Sequence, residues 1–185
     1  MKKVVIIPAL NPDDKLREIV DRNEEMENTV ILVDDGSDDK HTQLFWELGE
    51  RCIVLHHKEN MGKGEAVKTA LRYVKRELCQ CEAIGIMDAD GQHLVEDMEQ
   101  LLHKAREHPG ALILGKRQVG REMPLRSRLG NEITRQIFRL MTGVYISDTQ
   151  TGMRAFSPKL LDFMTEVGGS RYEYEMSVLM ACAVV

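Results

Sequence analysis

Short runs of aliphatic and β-branched residues alternate along the chain with longer segments whose apolar positions recur every three to four residues. The short runs predict five β-strands. These strands are residues 3–9, 29–33, 52–55, 83–87 and 111–114. Strands that alternate with amphipathic segments are typical of βαβ units around a mainly parallel sheet, so the pattern predicts an α/β fold.

The longer segments predict helices on the faces of that sheet. Residues 64–78 and 94–106 each carry their apolar side chains on one face of a helix. Residues 124–141 form a third predicted helix, because Pro124 suits the first helical turn. A length of 185 residues allows one domain with a substantial core and is short for two. We therefore predict that residues 1–185 form one domain.

Composition and charge exclude several classes of protein. The hydrophobic fraction of 43% and the charged fraction of 30% are typical of a soluble globular protein. The net charge of -5 argues against a nucleic-acid partner. The first apolar run ends at Pro8, which is too early for a signal peptide, and no segment approaches a membrane span. The four cysteines lack the spacing of a disulfide scaffold, which favours free thiols and a cytoplasmic location.

Acidic residues directly follow two of the predicted strands. The second strand leads into Asp34 and Asp35, and the fourth leads into Asp88 and Asp90. Ligands of open parallel sheets bind beyond the carboxyl ends of the strands, so both pairs should face one crevice. Aspartate is also common in ordinary turns. The prediction therefore depends on the coincidence of two such pairs at one edge.

Asp88 and Asp90 are the candidates for a metal site. They are two residues apart, so their side chains point to the same side of an extended segment. Carboxylate pairs suit Mg²⁺ or Mn²⁺, which commonly take one or two carboxylates together with substrate phosphates. Gln92 adds a neutral oxygen, whereas His93 is better suited to a hydrogen bond. The sequence therefore predicts Mg²⁺ or Mn²⁺ at Asp88, Asp90 and Gln92.

Two further segments suit anionic ligands. Residues 60–64, NMGKG, precede a predicted helix, where glycine permits close backbone approach and the helix N-terminus favours an anion. Their spacing is not that of a P-loop. Residues 116–139 carry seven basic residues and two acidic ones, which reverses the overall charge. This segment is either a solvated helix face or a surface that binds phosphate near anionic lipid.

Six motifs together resemble the family 2 glycosyltransferases of the GT-A fold. They are VIIPALN at 5–11, VDDGS at 33–37, NMGKGEA at 60–66, DADGQH at 88–93, GKR at 115–117 and DTQTGMR at 148–154. The fourth and sixth are similar to those of polyprenyl-phosphate glycosyltransferases, a group that includes dolichol-phosphate mannose synthase. The motifs cover almost the whole chain. The resemblance therefore implies a Rossmann-like GT-A domain, with a mainly parallel sheet flanked by helices.

The resemblance also implies a role for each matching position. The implied nucleotide-sugar pocket consists of Pro8, Asn11, Asp35, Lys63 and Asp88. The implied catalytic residues are Asp90, Arg117 and Arg128, of which the two arginines contact phosphates of the donor or the acceptor.

Two features depart from the family's pattern. The family usually has Glu after the Asn of the first motif, but Pro12 follows Asn11 here, with Asp13 and Asp14 beyond. Which acid meets the base or ribose therefore stays open. Relatives continue past the position of Val185 with a further strand and often with membrane-anchoring segments, so we expect a chain that is truncated at its C-terminus.

The implied activity is inverting transfer of a sugar from a UDP- or GDP-linked donor to a lipid phosphate, at the cytoplasmic face of a membrane. A nucleotidyltransferase is an alternative, but it needs a basic glycine-rich loop where residues 11–14 stand. A non-catalytic nucleotide-sugar-binding domain is a second alternative, against which the intact metal motif at 88–92 argues. A phosphate-receiver domain would share Asp34 and Asp35, but a strand-end Lys in the right context after a fifth strand is missing.

Overall fold

A six-stranded sheet forms the centre of the computed structural model, which describes residues 2–115, 136, 138–146 and 151–184. The strand order is β3-β2-β1-β4-β6-β5. The strands are β1 (Lys3–Ala9), β2 (Asn28–Asp34), β3 (Ile53–His56), β4 (Ala83–Ile86), β5 (Ile113–Leu114) and β6 (Arg154–Phe156). The first five match the predicted strands to within two residues at either end.

The sixth strand makes the sheet mixed. β1 pairs in parallel with β2 and β4, and β2 pairs in parallel with β3. β6 runs antiparallel to both β4 and β5, with Arg154 opposite Ile86. The sequence pattern did not predict β6, because three residues are too few to show an alternation. Its direction brings the residues just before Arg154 to the carboxyl end of β4.

Helices cover both faces of the sheet. They are α1 (Lys15–Glu25), α2 (Thr42–Gly49), α3 (Lys63–Glu77), α4 (Val95–Glu107), α5 (Leu161–Glu166) and α6 (Glu173–Val184). α3 and α4 confirm the helices predicted at 64–78 and 94–106. Most of the predicted helix at 124–141 lies outside the described residues, although 138–142 are helical. Within the described part of the chain, none of the helices has the length and apolar character that a bilayer crossing requires.

The alternating side chains of β1 join two hydrophobic layers. Val5 and Ile7 pack with the apolar faces of α1, α2 and α4 on one side of the sheet. Val4 and Ile6 pack with α3, α5 and α6 on the other side. All four side chains are fully buried, and burial of each contributes about 1.5–3 kcal/mol. The strands are therefore firmly fixed, and the carboxyl ends of β1, β2 and β4 lie at one edge.

Candidate active site

A cleft of about 500 Å³ opens at that edge of the sheet. It lies beyond the carboxyl ends of β1, β2 and β4, as the rule for open parallel sheets predicts. Its walls are formed by Pro8 to Asp13, Asp35, Asn60, Gly62, Lys63, Asp88 to Asp90, Arg171 and Tyr172.

The cleft brings together most of the site residues that the sequence predicts. Those at its wall are Pro8, Asn11, Asp35, Lys63, Asp88 and Asp90. Gln92 is exposed and is not among the lining residues, and its backbone N–H donates to Oδ1 of Asp90 over 2.9 Å. Arg117 and Arg128 lie outside the described residues, so their assignment stays a prediction.

The Asp35 carboxylate holds the loop that follows β3. Its Oδ1 accepts the backbone N–H of Met61 over 2.9 Å, and its Oδ2 accepts that of Gly62 over 2.8 Å. Nδ1 of His57 also lies 2.8 Å from Oδ1, while Nε2 of the same ring lies 2.9 Å from the hydroxyl of Thr69. Asp35 is 4% exposed, so these hydrogen bonds are shielded from water. Oδ2 retains capacity for a second hydrogen bond, which suits a hydroxyl or an N–H group of a ligand.

Asn11 joins the first motif to the second. Its backbone adopts a φ of 49°, a left-handed conformation that asparagine tolerates better than most residues. Its side-chain oxygen accepts the backbone N–H of Asp38 over 2.8 Å, and its own N–H donates to the hydroxyl of Ser37 over 2.9 Å. The loops after β1 and β2 are thereby held together at the cleft.

Asp34 caps the turn beside this wall. Oδ1 accepts the backbone N–H of Ser37 over 2.9 Å, and Oδ2 lies 2.9 Å from Nδ1 of His56. Burial raises the pKa of this carboxyl, but the hydrogen bonds from His56 and Ser37 outweigh that effect, and the pKa lies below its usual value. The Asp34 carboxylate therefore stabilises the turn after β2 as an anion, and it does not line the cleft.

Asp88 is paired with a lysine from the opposite wall. Nζ of Lys63, in the first turn of α3, lies 2.5 Å from Oδ1 of Asp88 and 2.5 Å from Oε1 of Glu175 on α6. Burial lowers the pKa of Lys63, but the charges of Asp88 and Glu175 outweigh it and leave the pKa above its usual value. The lysine is therefore a fixed positive charge at the cleft.

A buried arginine supports this group of charges. Arg154, the first residue of β6, is 2% exposed, and its Nη1 donates to the backbone oxygen of Glu175 over 2.8 Å. Its Nη2 is buried without a hydrogen-bond partner among the described residues. Burial lowers the pKa of Arg154 below its usual value, and the negative charges of Glu175 and Asp88 oppose that effect. A buried guanidinium of this kind ties β6 to the beginning of α6.

Gly152 explains part of the last motif in physical terms. A Cβ atom at this position would overlap the carboxylate of Asp88. Only a residue without a side chain lets the chain pass so close to Asp88 on its way into β6. The glycine therefore fixes where the Asp88 side chain can lie.

The first turn of α3 is packed against a segment that the sequence reasoning missed. A Cβ on Gly62 would overlap Arg171, and one on Gly64 would overlap Tyr174. The backbone N–H of Glu65 donates to the oxygen of Ser170 over 2.8 Å. Arg171 and Tyr172 thereby reach the cleft, and no motif or periodicity signalled them.

Asp13 and Asp14 occupy different environments. Asp13 lines the cleft, and its Oδ1 accepts the backbone N–H of Lys15 over 3.0 Å. Asp14 stands at the N-cap position of α1, where it pairs with Arg17 over 3.6 Å. Asp13 is therefore better placed to replace the acid that usually follows the first motif.

The two carboxylates at the end of β4 are compatible with a divalent cation. Asp88 and Asp90 both line the cleft. Among the described residues, no cluster of three or more His, Cys, Asp or Glu side chains could hold a metal ion by itself. Hard cations such as Mg²⁺ keep several coordination positions for water and substrate phosphates, so two carboxylates are sufficient. The residues present therefore fit a cation that would be coordinated by these two carboxylates and by a bound diphosphate.

Comparison with known proteins identifies the family. The family model described as Glycosyl transferase family 2 matches residues 4–165, which include all six strands apart from Lys3 and the cleft apart from Arg171 and Tyr172. The chain belongs to glycosyl transferase family 2. The predicted membership is thus confirmed, and with it the prediction of a glycosyltransferase rather than a receiver domain.

Two family relatives and one solved structure show how far the similarity extends. A UDP-N-acetylglucosamine–dolichyl-phosphate N-acetylglucosaminyltransferase from Methanococcus voltae is 30% identical over 191 aligned positions, covering 91% of this chain and 75% of that protein. A polyprenol monophosphomannose synthase from Mycolicibacterium smegmatis is 30% identical over 171 positions, covering 87% of this chain and 63% of that protein. A crystal structure of a mycobacterial protein has a TM-score of 0.72 at 19% identity, covering 96% of this chain and 60% of that one. This last likeness concerns the fold alone, and it agrees with the predicted GT-A fold.

Proposed function

We propose that this family 2 chain takes part in transferring a sugar from a nucleotide-diphosphate sugar to a polyprenyl phosphate. The observation that carries the proposal is the cleft at the sheet edge, which is lined by Asp90 and by the ion pair of Asp88 with Lys63. The names of the two relatives, one acting on dolichyl phosphate and one on a polyprenol, support the choice of acceptor. The chain spans 75% and 63% of those proteins, so the proposal concerns the function of the part that it matches.

The walls of the cleft carry groups that can bind both the nucleoside and the diphosphate of the donor. Asp35 and Asp13 present carboxylates at the β1–β2 wall, where hydroxyl groups of a ribose or N–H groups of a base can donate to them. Lys63 presents a positive charge at the first turn of α3, where the helix dipole also favours a diphosphate. The nucleoside therefore lies towards β2 and the diphosphate towards α3 and β4.

Asp88 and Asp90 are the residues that would hold Mg²⁺ or Mn²⁺ in this arrangement. A divalent cation bound there supplies positive charge that stabilises the departing diphosphate. Lys63 contributes a second positive charge from the protein itself.

The acceptor needs little activation by the protein. A phosphate monoester has a second pKa of about 6, so a polyprenyl phosphate is already largely dianionic at neutral pH. One of its oxygens attacks the anomeric carbon as the bond from that carbon to the diphosphate oxygen breaks, and the electron pair leaves with the nucleoside diphosphate. Single displacement inverts the anomeric centre. The protein's task is to position the two phosphates and to stabilise charge.

The basic segment at 116–139 is our candidate for the acceptor side, near the surface of a membrane whose lipids are anionic. We infer that Arg117 and Arg128 bind phosphate, because guanidinium groups can make paired hydrogen bonds to it. Arg128→Lys should then lower transfer while it preserves much of the nucleotide-sugar affinity. Equal transfer rates for the wild type and Arg128→Lys, at saturating donor and varied acceptor, would contradict this role.

A binding screen followed by a transfer assay tests the proposal. UDP- and GDP-linked sugars are added with and without Mn²⁺, and the melting temperature is recorded. A donor at 100 times its Kd contributes about 2.7 kcal/mol, which raises the melting temperature of a domain of this size by about 5–10 °C. The donor found in this way is then incubated with a short-chain polyprenyl phosphate in detergent. Formation of the glycosyl lipid and release of the nucleoside diphosphate are expected.

The same assay separates the alternatives. A nucleotidyltransferase would release pyrophosphate from a nucleoside triphosphate and a sugar 1-phosphate. A non-catalytic domain would bind the nucleotide sugar without turnover under any acceptor condition. Either result would replace the proposed activity.

A further inference from the structure

Glu175 occupies a central position in the network behind the cleft, although no motif or comparison assigns it a role. It lies in the first turn of α6, and its Oε1 is 2.5 Å from Nζ of Lys63. Its backbone oxygen accepts a hydrogen bond from Nη1 of Arg154 over 2.8 Å. Its side chain is 19% exposed, and that of Lys63 is 15% exposed. α6 is therefore anchored to β6 through Arg154 and to α3 through this ion pair.

Lys63 is shared between two carboxylates. Its ammonium lies at the same distance from Asp88 as from Glu175. A lysine whose one partner is Asp88 would compete directly with a divalent cation for that carboxylate, because both are positive charges at one oxygen pair. Glu175 offers the ammonium a second partner. Lys63 can then keep its charge and its position when the Asp88 carboxylate turns to a cation.

We propose that Glu175 is a positioning residue that holds Lys63, so that Asp88 is free to bind a divalent cation while the ammonium stays beside the donor diphosphate. This inference rests on the proposed function for the identity of the diphosphate, but the cation-binding part of it does not. Glu175 itself touches neither donor nor acceptor in this account. Its effect passes through Lys63.

A structural role for Glu175 has to be separated from this one. A carboxylate in the first turn of a helix stabilises that helix through its dipole, independently of Lys63. Loss of such an interaction would lower the melting temperature but would leave the affinity for a cation unchanged. A direct attraction between Glu175 and the cation would instead persist in the absence of Lys63.

Four proteins distinguish these possibilities: the wild type, Glu175→Gln, Lys63→Met and the double variant. The probes are Mn²⁺ alone and Mn²⁺ with UDP or GDP, measured by calorimetry and by the electron paramagnetic resonance of free Mn²⁺. Glu175→Gln should weaken Mn²⁺ binding about tenfold, which is within the range of interaction energies found between neighbouring residues. In the Lys63→Met background the same change should alter Mn²⁺ affinity less than about twofold, since the competing ammonium is gone.

Glu77→Gln serves as the matched control. Glu77 ends α3 and pairs with its neighbour Arg76, and its side chain is 47% exposed. The Glu77→Gln variant removes one negative charge from α3, the helix that begins with Lys63, but does not contact Lys63. Its Mn²⁺ affinity should equal that of the wild type.

The outcomes against the proposal are specific. A tenfold loss that persists in the Lys63→Met background indicates direct attraction of the cation and overturns it. A lower melting temperature of Glu175→Gln with unchanged Mn²⁺ affinity indicates a structural role and overturns it as well. Absence of Mn²⁺ binding by the wild type, with or without UDP or GDP, does the same. Mn²⁺ binding with the predicted coupling but without glycosyl transfer leaves this inference standing and defeats the proposed function.

Discussion

The aspartates that follow β2 and β4 line the same cleft, yet they are held in different ways. Asp35 is 4% exposed and accepts two backbone N–H groups, with a histidine at the same carboxylate. The side chain of Asp88 is 28% exposed and faces the ammonium of a lysine. One carboxylate is bound by parts of the chain that cannot move without unfolding the loop. The other is paired with a single side chain, so a cation can replace that partner at Asp88 while Lys63 stays held by Glu175.

Within one site, Asp35 therefore stabilises the structure of the cleft wall, whereas Asp88 is available to bind a ligand. Main-chain donors fix Asp35, so its charge stabilises the loop at 57–62 whether or not a ligand is present. A side-chain cation neutralises Asp88 only as long as nothing of higher charge replaces it. We therefore expect removal of an exposed carboxylate on the β4 side to change ligand binding with little effect on folding. Variants on the β2 side should change both.

Asp90→Ala is expected to have the largest effect on function. Asp90 is exposed, and its carboxylate accepts the backbone N–H of Gln92, so its loss should change stability by less than about 0.5 kcal/mol. Divalent-dependent nucleotide-sugar binding should disappear in calorimetry. Asp162→Ala, which removes an exposed carboxylate paired with Lys75, is the control and should bind as the wild type does. Unchanged Mn²⁺-dependent binding by Asp90→Ala would refute the metal assignment.

Gly152→Ala is expected to have the next largest effect. The added methyl group displaces the Asp88 carboxylate, because the two would overlap. Moving this carboxylate out of place should lower Mn²⁺-dependent donor affinity about tenfold, and the overlap should also reduce the free energy of unfolding by about 1–3 kcal/mol. Gly110→Ala meets no atom within 4 Å and should leave that affinity unchanged. If both variants bind the donor equally well, Gly152 does not set the position of Asp88.

Asp35→Asn is expected to affect folding and binding together. The amide would present N–H groups to backbone N–H groups that now donate to a carboxylate, which should reduce the free energy of unfolding by about 1–3 kcal/mol. Donor affinity should fall even without metal, because the loop at 57–62 forms part of the cleft wall. Denaturant unfolding and metal-free titration measure the two effects. A loss confined to metal affinity would show that Asp35 belongs with Asp88 and not with the loop.

The pH dependence of stability gives the smallest effect. The folded-state pKa of Asp34 is below its ordinary value of 3.8, so its charge stabilises the protein above that pH, and this contribution is lost as the pH falls through the lower, folded-state pKa. Asp34→Asn should therefore show a shallower loss of unfolding free energy below about pH 4, by less than about 1 kcal/mol, as expected for a partly exposed pair. If the unfolding free energies of the wild type and the variant fall in parallel with pH, the lowered pKa of Asp34 is contradicted.

The sequence predicts the strand side of the site well, because long buried runs and strand-end aspartates are local signals. The three strands that contain Pro8 or lead into Asp35 and Asp88 follow directly from their aliphatic runs. What completes the site comes from far along the chain, where the motif at 148–154 contains Gly152 and Arg154 but does not show what they contact. Arg154 is a charged residue that is buried in a strand of three residues, and no periodicity favours that. Glu175 is one of several acidic residues before an apolar helix, and only its distance to Lys63 distinguishes it.

The antiparallel return of β6 has a consequence for how the molecule folds. Lys63 and Asp88 are close in sequence, but Gly152 and Glu175 follow them only after long intervening segments. Contacts between residues so distant along the chain close large loops, and such contacts form slowly. The strands β1 to β4 and their helices can collapse first, with Asp88 and Lys63 already opposite each other. Competence to bind a cation should then appear in a later kinetic phase, when β6 and the residues after it dock against β4 and α3.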